Sequence, residues 1–160
     1  MKEDCILDYS VEIFKNINDN TIFFIPDGFD QYGIRTNINK PAVLKEPYEV
    51  ALIGAKLREC FEITVNRQYT DEDMKSRVTD LIMGEKSEKK IVNNHLFQWV
   101  FFNKERGYEF EANMKSKDGR GYMSIPNMPL LSLDVSADDI ELGKAILQTF
   151  EACKEGRLVK

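Results

Sequence analysis

The side chains with reactive potential are few and widely spaced. His95 is the only histidine, and Cys5, Cys60 and Cys153 are the only thiols. A zinc site takes three or four clustered Cys, His or carboxylate ligands, and no such spacing occurs, so no metal site is expected. A Cys–His nucleophile pair would have to be assembled by the fold, and no local motif supports one. His95 is therefore read as a structural side chain. The stretch Asp118-Gly119-Arg120-Gly121 lacks the Lys-Ser/Thr of a phosphate loop and reads as a hairpin turn. No cofactor is expected. Carboxylates are abundant, and two of them meeting across a cleft would make an acid–base pair. Spacing selects no particular pair, so a small carboxylate-dependent enzyme stands as an alternative reading. The aromatics Phe97, Trp99, Phe101, Phe102, Tyr108 and Phe110 could stack bases, which makes a single-stranded nucleic-acid-binding protein a further alternative. Only Lys104 and Arg106 lie near them, so burial in a sheet core is the preferred reading.

What remains is a surface chemistry. Acidic residues recur at Asp27, Asp30, Asp71, Glu72, Asp73, Asp118, Asp138 and Asp139. An exposed acidic face attracts a basic partner and speeds its capture. The expected partner-binding residues are Asp27, Asp30 and Tyr32 after the second strand, with Asp71, Glu72 and Asp73 at a helix start, because loops and helix starts project from a scaffold. The charge balance agrees: 22 Lys and Arg against 27 Asp and Glu give a net charge of -5 over 160 residues. That balance argues against binding nucleic acid through its phosphates. Hydrophobic residues at 42% and charged residues at 31% describe one globular domain spanning 1–160. Three isolated cysteines suit a reducing compartment. The acidic start MKEDCILDYS has no leader-like apolar run, and no stretch nears the roughly 20 apolar residues that cross a bilayer. A cytoplasmic protein without a membrane partner is expected.

The elements that must position these groups follow from periodicity. Residues 5–17 alternate and predict a strand, Asn18-Asp19-Asn20 a turn, and Thr21–Ile25 a second strand stopped by Pro26-Asp27-Gly28. A short strand is expected at Ala42–Leu44. Pro47 opens a helix over 47–62 with Val50, Ile53, Gly54, Leu57 and Phe61 inward. Thr70–Asp73 has the form of a capping box opening a helix over 71–83 that stops at Gly84. Residues 85–90 read as a charged loop. Strands at Leu96–Asn103, Tyr108–Ala112 and Tyr122–Ile125, separated by turns, predict an antiparallel meander, and Pro129–Leu133 reads as one more strand. Ser136 to Asp139 cap a last helix over 137–153, with Ile140, Gly143, Ile146, Leu147 and Phe150 inward. The fold class is α+β, antiparallel sheet covered by helices.

Two segments echo each other. Pro41 to Gly54 and Pro129 to Gly143 both read proline, short apolar strand, acidic helix start, aliphatic-glycine; beyond the glycine, Leu57 matches Ile146, Phe61 matches Phe150 and Glu62 matches Glu151. The reading is a duplicated strands-then-helix unit, with halves at 1–66 and 85–156 and an extra helix near 71–83. Each mid-helix glycine is expected to let its helix approach the sheet closely.

The stretch Leu131 to Phe150, LSLDVSADDIELGKAILQTF, with its Ser/Asp-capped helix and Leu-Gly-x-Ala run, resembles the end of the immunity proteins of bacterial contact-dependent growth inhibition systems. The resemblance implies a cytoplasmic antidote and not an enzyme. It implies one-to-one binding of a cognate toxin C-terminal domain, often a nuclease with a basic cleft, whose active site is blocked. It also implies a layout similar to Whirly-type proteins, two antiparallel sheets each followed by a helix.

Overall fold

The structure is a computed structural model that describes residues 8–75 and 77–158. Cys5 and the first residues of the strand expected over 5–17 lie outside them. The chain alternates strands and helices in the order β1 (Tyr9–Asn16), β2 (Ile22–Phe29), β3 (Arg35–Ile38), β4 (Ala42–Leu44), α1 (Val50–Val65), β5 (Met74–Lys75), α2 (Val78–Met83), α3 (Glu88–Asn94), β6 (His95–Asn103), β7 (Gly107–Lys115), β8 (Tyr122–Ser124), β9 (Leu131–Leu133) and α4 (Asp139–Leu158). Among the described residues the strands form a nine-stranded antiparallel sheet, β5-β3-β2-β1-β6-β7-β8, with β4 beside β2 and β9 beside β7. The order reads alike from the β1–β6 centre outward. β1 matches β6, β2 matches β7, β3 and β4 on β2 match β8 and β9 on β7, and a helix follows each set.

Strand alternation divides the side chains between two faces. Val11, Ile13, Ile22, Phe24, Leu96, Val100 and Phe110 point toward α1 and α4 and build the main core with Ile53, Leu57, Phe61, Leu142, Ile146 and Phe150. Phe14, Phe23, Ile25 and Phe97 point the other way, onto Val78 of α2. β2 is covered on both faces, which accounts for its unbroken apolar run rather than an alternating one.

Several boundaries differ from the sequence expectation, each for a physical reason. β2 does not stop at Pro26-Asp27-Gly28 but continues to Phe29. On its outer edge β2 pairs with β4 through Ile22–Phe24 and with β3 through Asp27–Phe29. Pro26, which has no N–H to offer, falls between these two partners. Gly28 is there for contact: a Cβ would lie 2.7 Å from the Tyr69 ring, and the Tyr69 hydroxyl accepts from the Phe29 N–H at 3.2 Å. The expected helix 71–83 is three pieces. The capping box at Thr70 forms, but it opens only a single 3-10 turn over Asp71–Asp73. Met74 and Lys75 then pair with β3, and α2 covers only Val78–Met83, ending as expected at Gly84 in the left-handed region, φ 64°. The charged loop expected over 85–90 ends at Ser87, whose side chain accepts from the Lys90 N–H and caps helix α3 from Glu88 onward. In α4 the buried stripe includes Leu142, while Ile140 is 50% exposed.

The two mid-helix glycines serve a helix–helix crossing, not the helix–sheet approach expected. A Cβ on Gly54 would sit 1.8 Å from the Asp139 carbonyl oxygen, and one on Gly143 would sit 2.0 Å from the Val50 carbonyl oxygen. Each glycine thus receives the first turn of the other helix. Arg58 of α1 ties the crossing, its Nε 2.8 Å from Asp139 Oδ1 and its Nη2 donating to the Ala137 carbonyl at 2.8 Å.

Candidate functional site

The face of the sheet opposite α1 and α4 is only partly covered. α2, α3 and the turn before β8 roof one end of it and leave a cleft of about 610 Å³ lined by Glu12, Asp27, Asn37, Arg77, Trp99 and Tyr122 among others. Cross-strand register places its floor. Glu12 of β1 lies opposite Trp99 of β6, and Trp99 lies opposite Glu111 of β7. One step along, Ser10 lies opposite Phe101, and Phe101 opposite Glu109. The Trp99 and Phe101 rings stack, with centroids 5.8 Å apart and planes 17° from parallel. Phe97, Tyr122 and Phe14 continue the aromatic strip, Phe97 lying 4.9 Å from Tyr122 and 4.7 Å from Phe14.

A polar cluster sits at the cleft wall where three strands meet. Asp27 of β2 pairs with Asn37 of β3. The Asn37 amide nitrogen donates to Asp27 Oδ1 at 2.8 Å and also to Glu12 Oε2, while its oxygen accepts from the Val78 N–H at 3.2 Å. Ser10 Oγ donates to Asp27 Oδ2 at 3.1 Å. One asparagine therefore orders two carboxyls and holds the start of α2 to the sheet. Burial raises the Glu12 pKa well above the usual carboxylate range, and the neighbouring Asp27 raises it further. Burial also raises Asp27, against the opposing pull of its hydrogen bonds from Glu12, Asn37 and Ser10. Among the described residues neither carboxyl forms an ion pair.

The expected partner-binding residues do not converge. Asp27 is 4% exposed and belongs to the cleft wall, not to a projecting turn. Asp30 and Tyr32 sit in the β2–β3 hairpin turn, where Asp30 Oδ1 accepts from the Tyr32 and Ile34 N–H groups at 2.8 and 2.9 Å. That carboxylate holds the turn in shape. Tyr32 is 78% exposed and Ile34 62%, so the tip presents two large apolar side chains to solvent. Asp71, Glu72 and Asp73 lie at the opposite end of β3, a separation of about 13 Å for a four-residue strand. Asp71 and Glu72 are exposed, whereas Asp73 Oδ2 accepts from the Thr70 N–H at 2.8 Å and caps its own turn. Sequence reasoning did not assign Glu12, Asn37 or Glu111 to a site, and it weighed Trp99 only as part of a base-stacking platform. Their alternation within β1, β6 and β7 carried part of that signal, and the pairing of those strands carried the rest.

His95 is buried between the Phe14 and Phe23 rings, with Nδ1 2.8 Å from the Ile91 carbonyl oxygen. This is the structural role expected of it. Among the described residues no group of three or more His, Cys, Asp and Glu could hold a metal ion, and no helix is long and apolar enough to cross a membrane.

No protein-family model matches the chain, and no curated protein does. Solved structures do match in fold. A chain of the CdiA-CT/CdiI toxin and immunity complex from Yersinia pseudotuberculosis superposes with a TM-score of 0.67 at 9% identity, covering 92% of this chain and 98% of that one. A protein of unknown function from Neisseria meningitidis superposes with a TM-score of 0.61 at 12% identity, covering 96% of this chain and 99% of that one. The architecture is thus shared end to end with a component of a toxin–immunity pair, while the sequences have little in common.

Proposed function

We propose that this chain is a cytoplasmic immunity protein that binds a cognate contact-dependent growth inhibition toxin domain one-to-one and neutralises it by covering its active site. The observation that carries the reading is the end-to-end fold likeness to a chain of a toxin–immunity complex. The acidic balance of -5 suits a basic target such as a nuclease, whose substrate is a polyanion. The β2–β3 tip with Asp30 and Tyr32 and the acidic turn Asp71–Asp73 are proposed as contact points. Tyr32 has the exposure and size of an interface anchor, and Asp71 and Glu72 offer rim charge.

The test is growth of bacteria producing the C-terminal domain encoded by the reading frame that adjoins this chain's own. Co-expression of the chain restores growth, and the purified pair elutes as one complex of equal stoichiometry. No rescue and no complex would rule the reading out. A buried and a half-buried carboxyl sharing one asparagine favour a second reading, the carboxylate-dependent enzyme. Turnover of a metabolite by the purified chain, abolished by Asp27→Asn, would establish it instead.

A further inference from the structure

The open sheet face joins aromatic area to carboxyl groups, and Arg35, Arg77 and Arg120 line the cleft at its roofed end. Trp99 is half-buried, lies flat against Phe101, and is flanked on neighbouring strands by Glu12 and Glu111. Opposed side chains on adjacent strands stand about 5 Å apart at Cβ, so the ring has a glutamate on either side; the Glu12 carboxyl is held toward Asn37 and Asp27 on the β2 and β3 side, which leaves Glu111 as the neighbouring charge. Glu111 accepts from Ser124 Oγ at 2.8 Å and, like Glu12 and Asp27, forms no ion pair among the described residues. Three arginines near the cleft are already engaged. Arg77 pairs with Asp80 and Glu88 at 3.0 Å each. Arg106 pairs with Asp8 and lies 3.6 Å from Glu109. Arg35 donates to the Asp8 carbonyl at 3.1 Å and lies over the Phe29 ring. Arg120 stands exposed at the far rim, beside Tyr122.

A planar guanidinium satisfies both parts of this face at once. It stacks on an indole and gives its edge N–H groups to a flanking carboxylate. A phosphate backbone would meet Glu109 and Glu111 as like charges. We propose that this face docks a basic segment of a protein partner, an arginine side chain lying over Trp99 beside Glu111. The identity of that partner as the toxin rests on the function proposed above; the surface itself is separate from the hairpin tip and the acidic turn.

Trp99 is the only tryptophan, so its emission reports on this face in the full chain. The probes are an amide-capped tetra-arginine peptide and its uncharged twin in which each arginine is citrulline. Tetra-arginine produces a saturable change in Trp99 emission that weakens with salt, with an apparent affinity at least about tenfold tighter than the citrulline peptide. Glu111→Gln, at a partly exposed position, weakens the response several-fold with an unchanged circular dichroism spectrum. Equal responses to the two peptides, or an unaltered response in Glu111→Gln, would overturn the proposal. So would tighter binding of an oligothymidylate, which would make the face a base-stacking platform. Growth rescue reads the immunity function and Trp99 emission reads this surface, so the two ideas fail independently.

Discussion

Glu12 and Asp27 are a costly pair to bury. Both have folded-state pKa values raised above their ordinary range, so the folded chain binds protons more tightly than the unfolded chain. Their stabilising contribution is therefore complete below the ordinary carboxylate pKa and is lost as pH rises through the raised values. Glu12→Gln keeps an N–H donor toward Asp27 and removes the charge. It should raise the melting temperature near pH 7 by about 2–4 °C, corresponding to about 1 kcal/mol in a chain of this size, and the gain should vanish near pH 4. Melting curves across that pH range check it. The cysteines bear on a different expectation. Burial pushes the Cys60 thiol up to about 12, and Cys153 is fully buried with its Sγ 3.1 Å from the Phe97 carbonyl. Neither should react with a thiol reagent at pH 8 until the chain unfolds, since the thiolate is the nucleophile. Mass spectrometry after native labelling would show modification of either as a failure of this packing. The burial of Cys60, Cys153 and His95 agrees with the reading of them as structural side chains in the sequence. The pairing of Glu12 with Asp27 was not legible there, because 15 residues and a turn separate them along the chain and only the β1–β2 pairing brings them together.

At the scale of elements, the crossing of α1 and α4 carries the sharpest prediction. Gly54 and Gly143 each face a backbone carbonyl at a distance no Cβ can tolerate, and backbone cannot swing aside as a side chain can. Gly54→Ala and Gly143→Ala should each destabilise by about 3 kcal/mol or more, although alanine is intrinsically the better helix former by about 1 kcal/mol. Denaturant unfolding gives the sign directly: a neutral or stabilising result would mean that the helices do not approach as described. The echo between the two segments was visible in sequence, down to Leu57 with Ile146 and Phe61 with Phe150, all of which are buried in one core. What the two glycines approach was not visible, because a helical pattern marks the face that is covered without marking what covers it. The same limit explains the split of the expected helix 71–83. A capping box and an apolar spacing of four residues are local signals, whereas pairing of Met74 and Lys75 with β3 is decided by a strand more than 30 residues earlier.

For the whole molecule, the hairpin tip and the open face are two separate surfaces proposed for recognition, and they make different predictions. Tyr32→Ala removes a 78% exposed ring that supports nothing inside the fold. It should leave the melting temperature within about 1 °C, as surface substitutions generally do. It should weaken the toxin complex by about 2 kcal/mol or more if the ring anchors the interface, measured by calorimetry on the purified pair. Unchanged affinity would remove Tyr32 from the interface and leave the acidic turn Asp71–Asp73 and the open face as the remaining candidates. The α+β class, most strands, the two long helices and the acidic character were determined by the sequence alone. They rest on alternation, on helical spacing, on turn residues and on charge, all of which act within about ten residues. The site was decided by the tertiary structure. Asp27 looked like an exposed turn carboxylate because Pro-Asp-Gly is turn chemistry, and it is buried because two strands, β4 and β3, divide the edge of β2 around Pro26. Glu12, Trp99 and Glu111 form one row because three strands from distant parts of the chain lie side by side in one register. No local pattern encodes that register; it is selected when both faces of the sheet bury their apolar side chains at once.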